Sequence, residues 1–414
     1  MKNSTVFICL TWVFCVGLLE TGAARADEGF LSVFNYADQQ QTAQATRETL
    51  VGARWSTSQA DDAVTKARHL LEAGQYTDSI EMLEEAVATY RISEGPDALL
   101  QLHALVPMLN TQLMLARWTD IEATLSEIMR VYAQNFDRDH PAFVDALQER
   151  ARWHLLSYYS AESDEPLTKL YAAYDTYAEA IQLISRHSGS ADPRLPGLLH
   201  SLAAVAYVHS QAYLEASGDK IPVVRKYARG RVAGQRDYEG NRFGYSQGKD
   251  ALEGVVELAE YALQTQPEPA AGADVRLTEA ILGLADWHLA FGYYKQAMDT
   301  YEQAWQTAAG WDPQQRDALF SQAVMVPRFE VLEQAQQTAN LIRHGEANES
   351  VQIAVSVNRF GKSSNYRIIN NNLAEQSSAR FRIQRRLHES MIRPNVLEGR
   401  MQPHRDVLMS VSSW

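Results

Sequence analysis

The residue pattern most suggestive of catalysis is the Gly-Tyr-Ser-Gln-Gly segment at residues 244–248. A G-x-S-x-G sequence presents a serine nucleophile when it forms the sharp turn between a buried strand and a helix, because that strained turn exposes the hydroxyl. The preceding residues 236–243 are polar and glycine-rich, without the hydrophobic run of a buried strand. A serine hydrolase that uses Ser246 is therefore the weaker alternative, and no other catalytic residue is predicted.

A second short motif, Gly-Lys-Ser at residues 361–363, matches the end of a phosphate-binding loop. That loop requires another glycine five residues earlier, where Ser356 stands, so a hairpin turn is predicted instead. The eleven histidines show no paired metal-ligand spacing, and the two cysteines, Cys9 and Cys15, both precede residue 27. The sequence therefore predicts neither a metal site nor a cofactor.

The first 26 residues have the three parts of a secretory signal peptide. Lys2 supplies the positive charge, residues 6–19 are apolar, and Ala-Arg-Ala at residues 24–26 is a small-x-small cleavage site. The apolar run is shorter than the roughly 20 residues that span a bilayer. We expect a cleaved signal and a periplasmic protein. Retention of the segment as an inner-membrane anchor is the alternative.

Charge is distributed unevenly along the 414 residues. The formal net charge is −13, which argues against general affinity for nucleic acid. Residues 350–414 hold ten Lys/Arg against four Asp/Glu, so this tail carries +6 and the rest of the chain −19. Such asymmetry usually marks a change of domain.

Residues 60–310 show helical periodicity and an internal repeat. The clearest copies lie at residues 281–309 and 63–90, and a weaker copy at 103–132 has Ala116 in place of the turn glycine. Small residues let two helices approach closely, and aromatic side chains fill the space beside them. The residues that define the repeat are Gly74, Tyr76, Ala86, Gly292, Tyr294, Ala297, Tyr301 and Ala304.

This pattern resembles the tetratricopeptide repeat, a helix–turn–helix unit. The resemblance implies a mainly α protein, an α-solenoid of five or six helical pairs without catalytic activity, whose inner groove binds protein segments. In the register of the family, the partner-binding groove residues are Arg68, Leu71, Asn110, Leu113, Leu282, Asp286 and Leu289. Residues 230–248 interrupt the array with five glycines and several cations, and they are predicted to form an exposed loop.

The tail changes to strand patterning. Residues 351–357 alternate apolar and polar side chains, as do residues 407–411, and residues 377–391 have helical spacing. An Arg-Pro pair, Arg393 and Pro394, ends the helix, and Gly399 follows. The predicted order is β-β-α-β.

This small α+β unit resembles the C-terminal domain of TonB, in which a helix closes with Arg/Lys-Pro and a later glycine. In that family the domain contacts outer-membrane receptors through an edge strand. The expected organisation is a signal peptide (1–26), a helical lead-in (27–59), the repeats (60–340) and the TonB-like domain (341–414).

The sequence thus favours a non-catalytic periplasmic scaffold or adaptor. Its expected partners are proteins of the cell envelope, including an outer-membrane receptor or a component of a TonB-dependent transport system. The alternative is a membrane-anchored, TonB-type energy transducer. Neither a nucleic acid nor a small-molecule substrate is indicated.

Overall fold

The computed structural model describes residues 54–138, 140–160, 166–216, 235–265, 273–344, 350–369 and 378–412. The predicted signal peptide and most of the lead-in lie outside these residues. Within the described ranges, no helix combines the length and the apolar character needed to cross a membrane.

In the described part of the chain, ten helices form five consecutive pairs, which confirms the predicted helical repeat. In each pair the two helices pack against each other, and the second helix packs on the first helix of the next pair. The helices are α1 (Arg54–Glu72), α2 (Tyr76–Glu94), α3 (Leu102–Met114), α4 (Trp118–Asn135), α5 (Pro141–Tyr159), α6 (Pro166–His187), α7 (Leu195–Ala216), α8 (Gln235–Thr265), α9 (Ala273–Ala290) and α10 (Tyr294–Thr307).

The turns inside the pairs explain why the helices stop where they do. Gly74 and Gly292 have φ angles of 75° and 74°, a left-handed conformation that glycine adopts without steric conflict. Ala116 takes the same role with φ 53°. The Tyr90 hydroxyl donates to Asp61 Oδ1 at 2.6 Å across the first pair, so the end of α2 lies beside the start of α1. The two helices are therefore antiparallel.

The small residues of the repeat lie where the helices approach most closely. Ala86, Ala297 and Ala304 are completely buried, and so is Tyr301 beside them. This placement agrees with the packing expected from the sequence, in which alanines set the spacing and aromatics fill the remaining volume.

The glycine-rich segment is not an exposed loop where the structure describes it. Residues 230–234 lie outside the described ranges, but residues 235–248 are part of α8. A Cβ atom on Gly248 would lie 2.2 Å from Trp287 Cζ2, and one on Gly244 would lie 2.6 Å from Ser210 Cβ. These glycines therefore permit close packing of α8 on α7 and α9.

The C-terminal region begins with α11 (Pro313–Phe320), β1 (Met325–Val326) and α12 (Glu330–His344), so the predicted boundary at residue 341 falls inside α12. The elements that follow are β2 (Ser350–Val357), β3 (Ser363–Ile368), α13 (Ser378–Glu389), β4 (Met391–Ile392), β5 (Asn395–Leu397), β6 (Arg400–Gln402) and β7 (His404–Ser412). The predicted β-β-α-β order is present as β2-β3-α13-β7, with three short strands added between α13 and β7.

The three longer strands form an antiparallel sheet in the order β3-β2-β7. One face of this sheet packs against α13, where Ile383 and Leu387 join Ile353, Val355 and Val411 in a separate small core. The short strand β4 pairs with β1, Met325 opposite Ile392, which joins the sheet region to the segment after the repeats.

Candidate protein-binding surface

The surface formed by the first helices of the pairs, α1, α3, α5, α7 and α9, is called the inner surface below. A helix from the same chain already lies on part of it: α12 packs across α5 and α7. The residues of α12 that face this contact, Val331, Leu332, Ala335 and Ala339, are buried in the same core as the repeats. Their spacing forms one apolar stripe of a helix.

Aromatic side chains hold the start of α12. The Phe329 ring lies 6.5 Å from the ring centroid of Tyr207 on α7 and 6.2 Å from that of Trp287 on α9. Phe329 is buried. Desolvation of the Tyr207 hydroxyl raises its own pKa to about 12. At the other end of α12, the Arg343 guanidinium donates to the backbone oxygen of Tyr159 on α5. The helix is thus fixed at both ends.

The last pair is covered by the C-terminal sheet region. Arg393 donates from Nε to Asp286 Oδ1 at 2.9 Å and from Nη2 to Asp286 Oδ2, and both side chains are buried. The Tyr301 hydroxyl donates to Asp286 Oδ1 at 2.7 Å. Burial alone would lower the pKa of Arg393, but the adjacent Asp286 carboxylate raises it above its usual value. The guanidinium therefore stays charged in this contact.

Three of the predicted groove residues are consequently not on an open groove. Leu282, Asp286 and Leu289 are all buried. A Cβ atom on Gly361 would lie 3.2 Å from Leu289 Cδ2, so the β2–β3 hairpin turn sits directly on α9. The family register places these three residues on the inner surface, and the tail of the same chain covers that part of the surface here.

The other four predicted groove residues lie on the first two pairs. Arg68 is exposed, and Leu71, Asn110 and Leu113 are partly exposed. Next to them Met114 keeps 37% of its surface accessible. The extensive contacts of the C-terminal elements are with α5, α7, α9 and α10. Among the described residues, no C-terminal element makes such contacts with the stretch of the inner surface over α1 and α3, which is called the accessible stretch below.

The remaining motifs do not form catalytic sites. Ser246 is exposed in the middle of α8, with helix on both sides, so the strand-turn-helix of a nucleophile elbow is not formed. Residues 361–363 form the end of the predicted hairpin turn between β2 and β3. The Asn358 amide closes this turn by donating to the Lys362 carbonyl at 2.9 Å. Among the described side chains, no cluster of three His, Cys, Asp or Glu could hold a metal ion.

The sequence of α12 contains a pattern that predicts its burial. Val331, Ala335 and Ala339 are spaced so that they form one apolar face of an amphipathic helix. Such a face normally packs against other apolar surface. The partner of Arg393 could not be found in this way, because no local pattern connects residues so far apart in the chain.

The similarity of this chain to known proteins is to solved structures of low sequence identity. No family model matches the chain, and no curated protein matches it. A solved structure from Podosopora anserina, described as a kinesin light chain with nearly identical TPR-like repeats, is 16% identical, with 62% of this chain and 98% of that chain covered and a TM-score of 0.38. BtubC (BKLC) from P. vanneervenii is 14% identical, with coverages of 64% and 95% and a TM-score of 0.29. The helical-repeat character of this chain rests on its own pairs, turns and contacts.

Proposed function

We propose that this chain is a non-catalytic scaffold that binds a protein segment on the accessible stretch of its inner surface, over α1 and α3. The observation that supports this most directly is α12, because it is a helix bound by the adjacent part of the same surface. Its apolar stripe is buried against α5 and α7, and this intramolecular contact supports the proposal that an external segment binds in a similar way over α1 and α3.

The chemistry of that stretch favours a partly apolar segment. Leu71, Leu113 and Met114 offer aliphatic surface, whereas Arg68 and Asn110 offer one cation and one amide that donates and accepts hydrogen bonds. A partner helix or extended peptide with aliphatic anchors and a nearby carboxylate suits this set. In such sites a few buried anchors contribute most of the binding free energy.

Site-specific photocrosslinking in the native cell tests this proposal. A photoreactive amino acid at Asn110 is expected to capture a defined protein, and Leu113→Asp in the same chain is expected to abolish the adduct. A matched probe at Ser185, which is exposed on the second helix α6, should give no adduct. Capture of the same protein from Ser185 and Asn110, unaffected by Leu113→Asp, would refute the proposed surface.

For the location we propose the periplasm, on the basis of the signal-like residues 1–26. Cell fractionation followed by N-terminal sequencing tests this directly. A periplasmic protein that begins at Asp27 is the expected result. A chain that begins at Met1 in the inner membrane would instead favour an anchored, TonB-type energy transducer.

A second candidate function, docking to a TonB-dependent transport system, is supported by the β2-β3-α13-β7 order and by the position of β3 at one edge of its sheet. An edge strand can add a strand from a partner. A photoreactive residue at Asn365 on β3 tests it. An adduct with an outer-membrane receptor supports receptor docking, whereas an adduct only at Asn110 leaves the scaffold function alone.

A further inference from the structure

The accessible stretch of the inner surface exposes one stripe of α3. Eight of the thirteen residues of this helix are buried. The others follow one another at helical spacing on one side of the helix: His103, Pro107, Asn110, Leu113 and Met114. In the register of the repeat, α1 adds the partly exposed Leu71 and the exposed Arg68 to the same surface. The stretch therefore combines aliphatic surface with a guanidinium group.

The lead-in before α1 contains one strongly apolar segment. Residues 29–36 read Gly-Phe-Leu-Ser-Val-Phe-Asn-Tyr and hold five of the seven large apolar or aromatic side chains of residues 27–53. Residues 37–49 hold none. A lead-in that only meets solvent is typically poor in aromatic residues, so this concentration indicates a binding role. Residues 29–36 lie outside the described ranges and are called the apolar segment below.

The apolar segment is attached close to the accessible stretch. Tyr36 precedes Arg54, the first residue of α1, by 18 positions. A chain of that length spans at most about 60 Å. The 19 residues of α1 make a helix about 28 Å long, and α3 packs beside it. Every position on the accessible stretch is therefore within reach of the apolar segment.

The charges around the apolar segment are opposite to the charge of Arg68. Residues 27–40 carry three acids, Asp27, Glu28 and Asp38, and no Lys or Arg. An exposed ion pair contributes less than about 1 kcal/mol. The aromatic and aliphatic side chains therefore supply most of the binding free energy, and the acids orient the segment on the surface.

We propose that the apolar segment binds the accessible stretch of its own chain and competes there with the external partner. This inference rests on the proposed function of that stretch. The precedent is α12, which comes from the same chain and occupies the adjacent part of the inner surface, over α5 and α7. The segment matches the chemistry expected of a partner, since it combines apolar anchors with nearby carboxylates.

Tethering favours the segment of the same chain over that of a second copy. A ligand joined to its site by a short linker has an effective concentration on the order of 1 mM. At a protein concentration of about 1 µM, a segment from another copy is about a thousandfold more dilute. With an intrinsic Kd of about 100 µM, the tethered segment would occupy about 90% of the sites and weaken a competing ligand about tenfold.

Photocrosslinking of the purified full-length protein tests the contact without any partner present. With a photoreactive amino acid at Asn110, we expect an adduct to residues 29–36 within one chain, identified by mass spectrometry of the digest. Phe30→Ser with Phe34→Ser should abolish it. Ser32→Ala with Asn35→Ala is the matched control, because it keeps every apolar anchor and should retain the adduct. A probe at Ser185 on α6 should give none.

Competition is measured with a fluorescent peptide of residues 27–40, by anisotropy. The Phe30→Ser, Phe34→Ser chain should bind this peptide about tenfold more tightly than the wild type does, because its own segment no longer occupies the site. Addition of Leu113→Asp to that chain should remove peptide binding. Equal affinity of the peptide for the two chains overturns the proposal, and so does an adduct that forms only between two chains.

The outcomes separate this inference from the scaffold function. Capture of a cellular protein at Asn110, without an adduct to residues 29–36 in the purified protein, refutes self-occupancy and leaves partner binding intact. An intrachain adduct and tighter peptide binding by the Phe30→Ser, Phe34→Ser chain support self-occupancy even where no cellular protein is captured. In that case the scaffold proposal alone fails.

Discussion

Arg393 and Asp286, 107 residues apart in the sequence, form a buried two-point ion pair that fixes the C-terminal sheet region to the last helical pair. Nε lies 2.9 Å from Oδ1, and Tyr301 supplies a further hydrogen bond to that oxygen. Because Asp286 is buried, this contact replaces water around both charges. Arg393 of the predicted Arg-Pro motif therefore binds a residue of its own chain in this structure.

Breaking this pair by removing one partner should be strongly destabilising. Arg393→Met leaves Asp286 buried without its counter-ion, and we expect a loss of about 3–5 kcal/mol in the free energy of unfolding. The double variant Arg393→Met with Asp286→Leu should recover most of that loss, because no unpaired charge remains. Urea titration of the wild type and the two variants measures both effects, and a loss below about 1 kcal/mol in the single variant would contradict a buried pair.

The left-handed alanine in the second pair offers a stabilising change. Ala116 has φ 53°, a conformation that is unfavourable for any residue with a Cβ atom and accessible to glycine. Ala116→Gly should therefore raise the free energy of unfolding by about 1 kcal/mol. As a control, Ala123→Gly at an exposed position inside α4 should lower it by about 1 kcal/mol, because glycine is a poor helix former. Thermal unfolding of both proteins gives the comparison, and equal shifts of one sign would exclude the assigned turn geometry.

The glycines of the G-x-S-x-G segment should matter for packing rather than for chemistry. Gly248→Ala places a methyl group 2.2 Å from the Trp287 ring, and we expect it to destabilise the protein by about 1–3 kcal/mol. Gly283→Ala is the matched control within a helix, where the added methyl group meets no neighbour within 4 Å, and it should stabilise by about 1 kcal/mol. Ser246→Ala should change stability by less than about 0.5 kcal/mol. If both Gly248→Ala and Gly283→Ala raised the free energy of unfolding by a similar amount, the packing explanation would be wrong.

Glu149 should make stability depend on pH. Burial raises the pKa of Glu149 to about 7, although Arg152 beside it acts in the opposite direction. A carboxyl whose pKa is higher in the folded state contributes stability that is complete below its unfolded pKa of about 4.5 and is lost as the pH rises through 7. Relative to Glu149→Gln, the wild type should lose on the order of 2–3 kcal/mol between pH 5 and pH 8.

The comparison with Glu149→Gln is needed because another group acts in the same range. Burial lowers the pKa of His154 to about 4, so its contribution is present above pH 6.5 and is lost as the pH falls through 4. This contribution is common to both proteins and cancels in the difference. Parallel pH profiles from urea unfolding would show that Glu149 is ionised in the folded protein at pH 5.

The sequence by itself determined the local structure of this protein. The glycines of the turns, the alanines of the helix contacts and the two-residue alternation of β2 and β7 all recur at fixed spacings within one element or one pair of helices. The 3.6-residue period of helices and the 2-residue period of strands therefore predict these elements from the sequence. The predicted loop was wrong for residues 235–248, because a cluster of glycines usually interrupts a helix. Here Gly248 permits close packing against Trp287, and that contact cannot be predicted from neighbouring residues.

Only the tertiary structure decided which surfaces remain open. The register of the repeat placed Leu282, Asp286 and Leu289 on the inner face of α9, but whether that face meets solvent, a partner or the chain itself depends on where residues after 310 pack. That choice is made by long-range burial and by the Arg393–Asp286 pair. The apolar stripe of α12 predicts that this helix is buried, but no periodicity shows which helices it packs against or which residue Arg393 pairs with.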